Sequence, residues 1–490
     1  MLSLILQTAA DAPTTPWHWV AVAVALLGEL LAIVFVAAVI ARGGAPASTL
    51  LWAGVILLAP WIGLLLYYLF PRRLQLRRLR RLRSSQERWR GELRAGRGGD
   101  DGEAVESDTP VCRLLQGIGG AALSGGNRAR WLPSGEEFFS AVGMAIADAR
   151  AFVHLEIYIF RPDATGRRLL ELLAAAARRG VEVRLLYDSF GSWGLGAAHL
   201  QELLAAGGKA VPFLPLLWRP RPFTVNLRNH RKVVVVDGRV AFTGGRNVGD
   251  EYARDEFANG RAWHDAMVQV EGPVVTALHE VFAEDWYHAT DEELNDERWF
   301  PPQERRGHDT LGVVASGPDR DRQELWMTVF QALAQARERI ELSSPYLVPP
   351  PTLLFALKVA AARGVRVRVH TNGPSSEAVV LYHAQRSYYQ ELVDAGVEIL
   401  ETGQDYNHAK VLVVDDRTVM IGTANLDMRS AHLNFEVAIA APDSPDLARA
   451  VLATLDRRAR TSTPVGDDVA RRPVVRRIVD GVCRLLSPLL

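Results

Sequence analysis

The chain has 490 residues, 48% of them apolar, and its 56 basic and 56 acidic side chains balance to zero formal charge. That length leaves room for about two or three domains with a large core. Two distant cysteines, Cys112 and Cys483, exclude a disulfide framework and a cysteine-built zinc site, and they argue for a reducing compartment.

Residues 17–41 are a mostly apolar stretch with one carboxylate, Glu29, and residues 49–70 carry no charge. About 20 apolar residues span a bilayer, so residues 1–71 are expected to form a transmembrane helical hairpin turning at 42–48. Trp17, Trp52, Tyr67 and Tyr68 lie near the ends, where amphipathic rings suit the interface. A cleaved signal peptide fits the first stretch poorly, because no basic residues precede it and the apolar run is too long.

Arg72, Arg73, Arg77, Arg78, Arg80, Arg81 and Arg83 follow the second stretch, against a lone Arg42 in the turn. By the positive-inside rule, the N-terminus and the large C-terminal part are cytoplasmic. The run either serves only as that signal or also holds anionic head groups, at about 1 kcal/mol per basic residue. Residues 72–110 continue into a glycine-rich and then acidic stretch, a flexible linker.

From residue 111 short β-branched runs alternate with alanine- and leucine-rich stretches, an α/β signature. A helix–glycine–strand unit occurs at 169–179, Gly180 and 181–187, and again at 353–363, Gly364 and 365–370. Two duplicated lobes, 111–305 and 306–465, are expected, with the boundary marked by Pro301-Pro302 and Arg305-Arg306-Gly307. Residues 466–490 include an amphipathic helix with Val474, Val475, Ile478, Val479, Val482 and Leu486 on one face and Arg476 and Arg477 on the other. It either lies in the membrane interface or caps the core.

One pattern occurs twice without a gap. His230-Arg231-Lys232, four residues, Asp237, six residues, Gly244-Gly245-Arg246-Asn247 is matched by His408-Ala409-Lys410, Asp415 and Gly422-Thr423-Ala424-Asn425 at the same spacing. The runs after each lysine read as buried strands, so histidine and lysine, two apart, project from one face. Among only four lysines in the chain, Lys232 and Lys410 occupy equivalent places, which suggests a need for a compact ammonium. Gly245 and Thr423 are expected to let backbone approach a substrate, and Asn247 and Asn425 to donate amide hydrogens to it. Asp237 and Asp415 either take part in the chemistry or, as turn residues, support the motif backbone.

Two imidazoles, two ammoniums and two amides suit one tetrahedral anion, a phosphodiester. Its transfer needs a neutral histidine as nucleophile, cations on the non-bridging oxygens, and a protonated histidine for the leaving alkoxide. One neutral and one charged imidazole imply a bell-shaped pH profile. No carboxylate cluster accompanies the histidines, so neither a metal nor another cofactor is expected.

The paired motifs resemble those of the phospholipase D superfamily. The stretches 226–232 and 244–252 resemble bacterial cardiolipin synthases in particular, as do Arg386-Ser387-Tyr388-Tyr389, Asn425-Leu426-Asp427-Met428-Arg429-Ser430, Asn434-Phe435-Glu436 and the C-terminal 484–490. The resemblance covers nearly the whole chain, hairpin included. It implies an α/β fold of two pseudo-symmetric phospholipase D-like lobes, mixed sheets flanked by helices, with the site between them. It also implies a phosphatidyltransferase of the bacterial inner membrane that converts phosphatidylglycerol to cardiolipin and releases glycerol. Its partners would be these phospholipids and the bilayer, and not nucleic acid, since the strongest basic run abuts the membrane. Phosphatidyl transfer to another acceptor, lipid hydrolysis and nucleic-acid phosphodiester cleavage are the other activities of such a site.

In that family an acidic residue downstream of each motif orients its histidine. Asp265, in Trp263-His264-Asp265, and Glu436 stand at those places, where each would fix a tautomer and favour the charged imidazole. His264 stands where arginine is more usual, and Arg246 is unusual in its motif. Tyr158, Asp188, Arg386 and Tyr389 are candidates to line the substrate channel, with packing as the alternative. By analogy His230 is the nucleophile, while the residues themselves leave that choice open, with donor range and oligomeric state.

Overall fold

The computed structural model describes residues 16–41, 46–69, 109–118, 122–215, 227–254, 263–320, 323–374, 379–466, 469, 472–485 and 487. The arginine run at 72–83, Arg42, the linker and Leu486 fall outside them. The chain separates into an N-terminal apolar unit and a larger α/β unit.

In the first unit, helix Pro16–Ala41 is continuous over 26 residues, a rise of about 39 Å that exceeds the bilayer core. Among the described residues it is the one helix long and apolar enough to cross a membrane. The expected second span is instead two helices, Pro46–Leu58 and Pro60–Leu69, of 13 and 10 residues. Pro60 breaks it, since proline lacks an N–H and its ring crowds the preceding turn. Gly63 then packs on the backbone of Ile56, where any Cβ would lie 2.6 Å from the Ile56 Cα. Trp52 and Tyr67, expected near the span ends, meet edge to face at 5.3 Å.

In the α/β unit the first half supplies strands β1 (Ala122–Leu132), β2 (Phe152–Ile157), β3 (Glu182–Asp188), β4 (Lys209–Phe213), β5 (Arg228–Asn229), β6 (Val233–Val236), β7 (Val240–Gly244), β8 (Trp263–His264) and β9 (Met267–Glu271). The second supplies β10 (Asp309–Ser316), β11 (Arg339–Ser343), β12 (Arg366–Asn372), β13 (Glu398–Thr402), β14 (Tyr406–Asn407), β15 (Val411–Val414), β16 (Thr418–Gly422), β17 (Asn434–Ala441) and β18 (Ser462–Pro464). Among the described residues sixteen strands join one sheet, in the order β18-β13-β12-β11-β15-β16-β17-β10-β1-β9-β7-β6-β2-β3-β4, with β5 beside β17.

Outward from the antiparallel β1–β10 seam, each half repeats one sequence of pairings. In both, the next four contacts are antiparallel and the two after them parallel. The duplication expected from the helix–glycine–strand units is therefore visible strand by strand. One face of the seam is covered by helices Val274–Thr290 and Pro445–Ala459, and their contacts with both halves form a single apolar core. The apolar runs of β6 and β15 are buried on both faces, as their unbroken apolar sequence requires.

Asp237 and Asp415 sit in the turns at the far ends of β6 and β15 from the histidines, at φ 53° and 50°. The Asp237 carboxylate accepts the backbone N–H groups of Arg150, Ala151 and Phe152 at 2.8–2.9 Å. Asp415 does the same for Arg337, Glu338 and Arg339 at 2.8–3.0 Å. Both anchor the start of the neighbouring strand and stand away from the chemistry. Asp237→Gly keeps the positive φ but removes the acceptor, so it is expected to lower unfolding free energy by about 1.5–3 kcal/mol and leave turnover nearly unchanged. A loss of turnover comparable to that of a histidine variant would put Asp237 back in the reaction.

Candidate active site

The two motifs meet through two very short parallel strand pairs. β5 runs beside the start of β17, with Arg228 opposite Asn434 and Asn229 opposite Phe435. β14 runs beside β8, with Tyr406 opposite Trp263 and Asn407 opposite His264. Each pairing is extended by one backbone bond, from His230 N–H to the Phe435 carbonyl at 3.0 Å and from His408 N–H to the His264 carbonyl at 2.6 Å. In that register His230 falls beside Glu436 and His408 beside Asp265.

The side chains follow the backbone. His230 Nδ1 lies 2.9 Å from Glu436 Oε2, and His408 Nδ1 lies 2.7 Å from Asp265 Oδ2. The carboxylate that orients each histidine therefore comes from the other half of the chain. This corrects the expectation that Asp265 serves His230 and Glu436 serves His408. With Nδ1 engaged, Nε2 of each imidazole remains for the reacting group, and neither has a hydrogen-bond partner among the described residues. Lys232 Nζ donates to the His230 carbonyl at 2.6 Å, and Lys410 Nζ makes the equivalent bond to the His408 carbonyl.

An asparagine precedes each histidine, and its importance was missed although the repeat itself extends to it. Asn229 Oδ1 accepts from Arg231 N–H, and Asn407 Oδ1 from Ala409 N–H, which turns the chain so that histidine and lysine face together. Asp188 and Asn372, at the ends of the equivalent strands β3 and β12, accept the N–H groups of Asn229 and Asn407 at 3.1 and 2.7 Å. Arg231, between His230 and Lys232, is fully buried. It bonds Asp285 at 2.6 Å and the Glu436 carbonyl at 3.2 Å, and so ties the first motif to the strand that carries its carboxylate. Tyr158 stands edge-on to His230 at 4.9 Å, while Tyr252 and Trp263 flank His408 at 5.7 Å.

The expected substrate-binding residues act one layer back. Gly245 leaves space for Asp265, whose Oδ1 would lie 2.1 Å from any Cβ placed there. The equivalent Thr423 fills that space and donates its hydroxyl to Glu436 Oε2. Asn247 accepts from Ile159 N–H and donates to the Tyr252 hydroxyl, both at 3.1 Å. The Asn425 backbone N–H donates to the Ser430 hydroxyl at 3.2 Å, and its side chain favours the charged form of the Asp427 carboxylate. These four support the carboxylates and loops around the histidines. Arg246 donates to the carbonyls of Tyr252 and Pro133, and the His264 ring pairs with Asp405 at 3.1 Å. Arg386 and Tyr389 both bond Glu401 inside the core of the second half.

Burial dominates the protonation states. It holds His230 down to about 4 and His408 to about 3, despite the carboxylate beside each. It pulls Lys232 to about 7 and Lys410 to about 8. Burial works to raise Glu436, but His230, Lys232 and the Thr423 hydroxyl together bring it to about 2. Asp265 is likewise held below the usual carboxylate range, by His408 and Lys410. Burial thus favours the neutral form of both imidazoles, against the pull of the carboxylate on each.

An entering phosphodiester adds negative charge to that of Glu436 and Asp265, and so favours protonated histidine and lysine. Calorimetry of a non-cleavable phosphodiester at pH 7, in two buffers of different ionisation heat, is expected to read an uptake on the order of one proton. The uptake should shrink as pH falls toward 4, where His230 is already taking up its proton before the ligand binds. Zero uptake at pH 7 would mean that the protonated imidazole does not arise on binding.

The family described as "Cardiolipin synthase, PLD-like domain" matches residues 144–286 and 329–458, and "Phospholipase_D-nuclease N-terminal" matches residues 30–72. A cardiolipin synthase of Geobacillus sp. (strain WCH70) is 35% identical over 474 residues, 94% of this chain and 92% of its own length. That of Geobacillus thermodenitrificans is 37% identical over 469 residues, again 94% and 92%. That of Halalkalibacterium halodurans is 32% identical over 497 residues, 99% of this chain and 98% of its own. The crystal structure of phosphatidylserine synthase from Haemophilus influenzae Rd KW20 shares the fold, with a TM-score of 0.57, 15% identity, and coverage of 74% of this chain and 95% of that one.

Proposed function

Because the chain belongs to the cardiolipin synthase family, membrane-bound phosphatidyltransferases of the phospholipase D superfamily, we propose that it joins two phosphatidylglycerol molecules into cardiolipin with release of glycerol. The observation that carries this reading is the pair of imidazoles, each with Nδ1 held by a carboxylate of the opposite motif and each accompanied by a buried lysine. Nε2 of one histidine, taken as His230, attacks the phosphorus of the donor lipid, and the bond to the glycerol oxygen breaks. The other histidine gives that oxygen its proton. Glycerol leaves, and the phosphatidyl group stays on nitrogen.

A terminal hydroxyl of the second phosphatidylglycerol then attacks. The second histidine takes its proton, the phosphorus–nitrogen bond breaks, and cardiolipin departs with both imidazoles restored. Lys232 and Lys410 offset the charge that develops on the non-bridging oxygens. In this reading the apolar unit anchors the enzyme, and the arginines at 72–83 keep the α/β unit, with lobes near 111–305 and 306–465, on the cytoplasmic side of the inner membrane.

Full-length protein in phosphatidylglycerol-containing micelles without added metal is expected to form cardiolipin and free glycerol in equal amounts. Phosphatidic acid as the main product would replace the transferase reading with a hydrolase, because water would then be the acceptor at the same site.

A further inference from the structure

The C-terminal helix, Val474–Leu485, presents to its surroundings the face that a helix on a soluble body would bury. Val474, Val475, Ile478, Val479, Val482 and Leu485 are between 40% and 78% exposed. At 3.6 residues per turn they fall within an arc of about 140°. Asp480 stands opposite the middle of that arc and is 4% exposed.

The helix docks by its polar side. The Asp480 carboxylate accepts from His383 Nδ1 at 2.8 Å and from Arg472 at 2.5 Å. Arg484 lies over the Tyr388 ring at 4.0 Å and pairs with Glu391 at 3.2 Å. His383, Tyr388 and Glu391 all belong to helix Val379–Val393. Specific ion pairs and hydrogen bonds therefore hold the stripe outward. Had the helix evolved only to cap the core, a half-turn about its axis would hide the stripe and free the charges.

We propose that this stripe is a membrane-interface element that lies in the surface of an anionic phospholipid bilayer. Three observations favour lipid over a protein partner. The stripe is entirely aliphatic, lacking the aromatic anchors that carry protein interfaces. Exposed Arg476 and Arg477 border it on its two sides, where they meet head groups while the valines, isoleucine and leucine enter the acyl boundary. The chain also belongs to a membrane-bound family, so a bilayer is always at hand. The proposal depends on that membrane attachment and on none of the reaction chemistry.

The test places a spin label at position 478 of the full-length protein by Ile478→Cys, with Cys483 replaced by alanine and buried Cys112 left in place. The protein is reconstituted in phosphatidylglycerol–phosphatidylcholine vesicles, and collisions of the label with oxygen and with a water-soluble nickel chelate are compared. Oxygen access severalfold above nickel access is expected, because oxygen concentrates in lipid. High nickel access would put the stripe in water, and suppression of both probes would put it against protein; either overturns the proposal. A second label, from Val475→Cys, guards against local damage at one position, and neither measurement requires turnover.

Discussion

His230→Ala and His408→Ala are each expected to reduce cardiolipin formation by a factor on the order of 10⁴ or more. Neither loss should be repaired by the other histidine. The geometry commits each imidazole to a single reacting nitrogen, because Nδ1 is already bonded to Glu436 or to Asp265. One nitrogen cannot be both the nucleophile bearing the phosphatidyl group and the acid protonating the leaving glycerol. With radiolabelled phosphatidylglycerol, the variant that lacks the nucleophile should form no acid-labile protein adduct. The variant that lacks the proton-transfer histidine should form one slowly and release it more slowly still, which identifies the nucleophile directly. Activity within tenfold of the parent in either variant would end the two-histidine scheme.

Glu436→Gln and Asp265→Asn should each cost about 10²- to 10⁴-fold, by analogy with neutralising the carboxylate behind a catalytic imidazole. Which step each one slows is the sharper result. Glu436 supports His230 and Asp265 supports His408, across the two halves, so with His230 as nucleophile Glu436→Gln should slow adduct formation without slowing release as much, whereas Asp265→Asn should slow release most, as His408→Ala does. Combining Glu436→Gln with His230→Ala should add little, since both act through one imidazole. If Glu436→Gln instead behaved like His408→Ala, the support would be running within each half, and the cross-half contacts would have no catalytic meaning.

Much of the site was legible in the residues. The spacing of His230 and Lys232, and of His408 and Lys410, already placed each pair on one face of a strand entry. The unbroken apolar runs announced the buried strands after them, and the duplicated helix–glycine–strand units foretold two matching halves. Pro60 also stood in plain view inside the second apolar stretch. It marks the break between the two helices of that stretch, which composition alone does not register.

Three things belonged to the tertiary structure. Partner choice between histidine and carboxylate is set by β5 against β17 and β8 against β14. Those pairings are two residues long and leave no periodic pattern to read, and each joins segments more than a hundred residues apart. The lowered pKa of both imidazoles comes from burial, which depends on how the chain closes over the site and outweighs the carboxylates that sequence could identify. An amphipathic pattern likewise names two faces of the C-terminal helix without saying which one docks. Only the seating of Asp480 on His383 and Arg472 turned its aliphatic face outward. Local chemistry and local conformation are written in neighbouring residues, whereas protonation, partnership and orientation depend on groups that only the folded chain brings together.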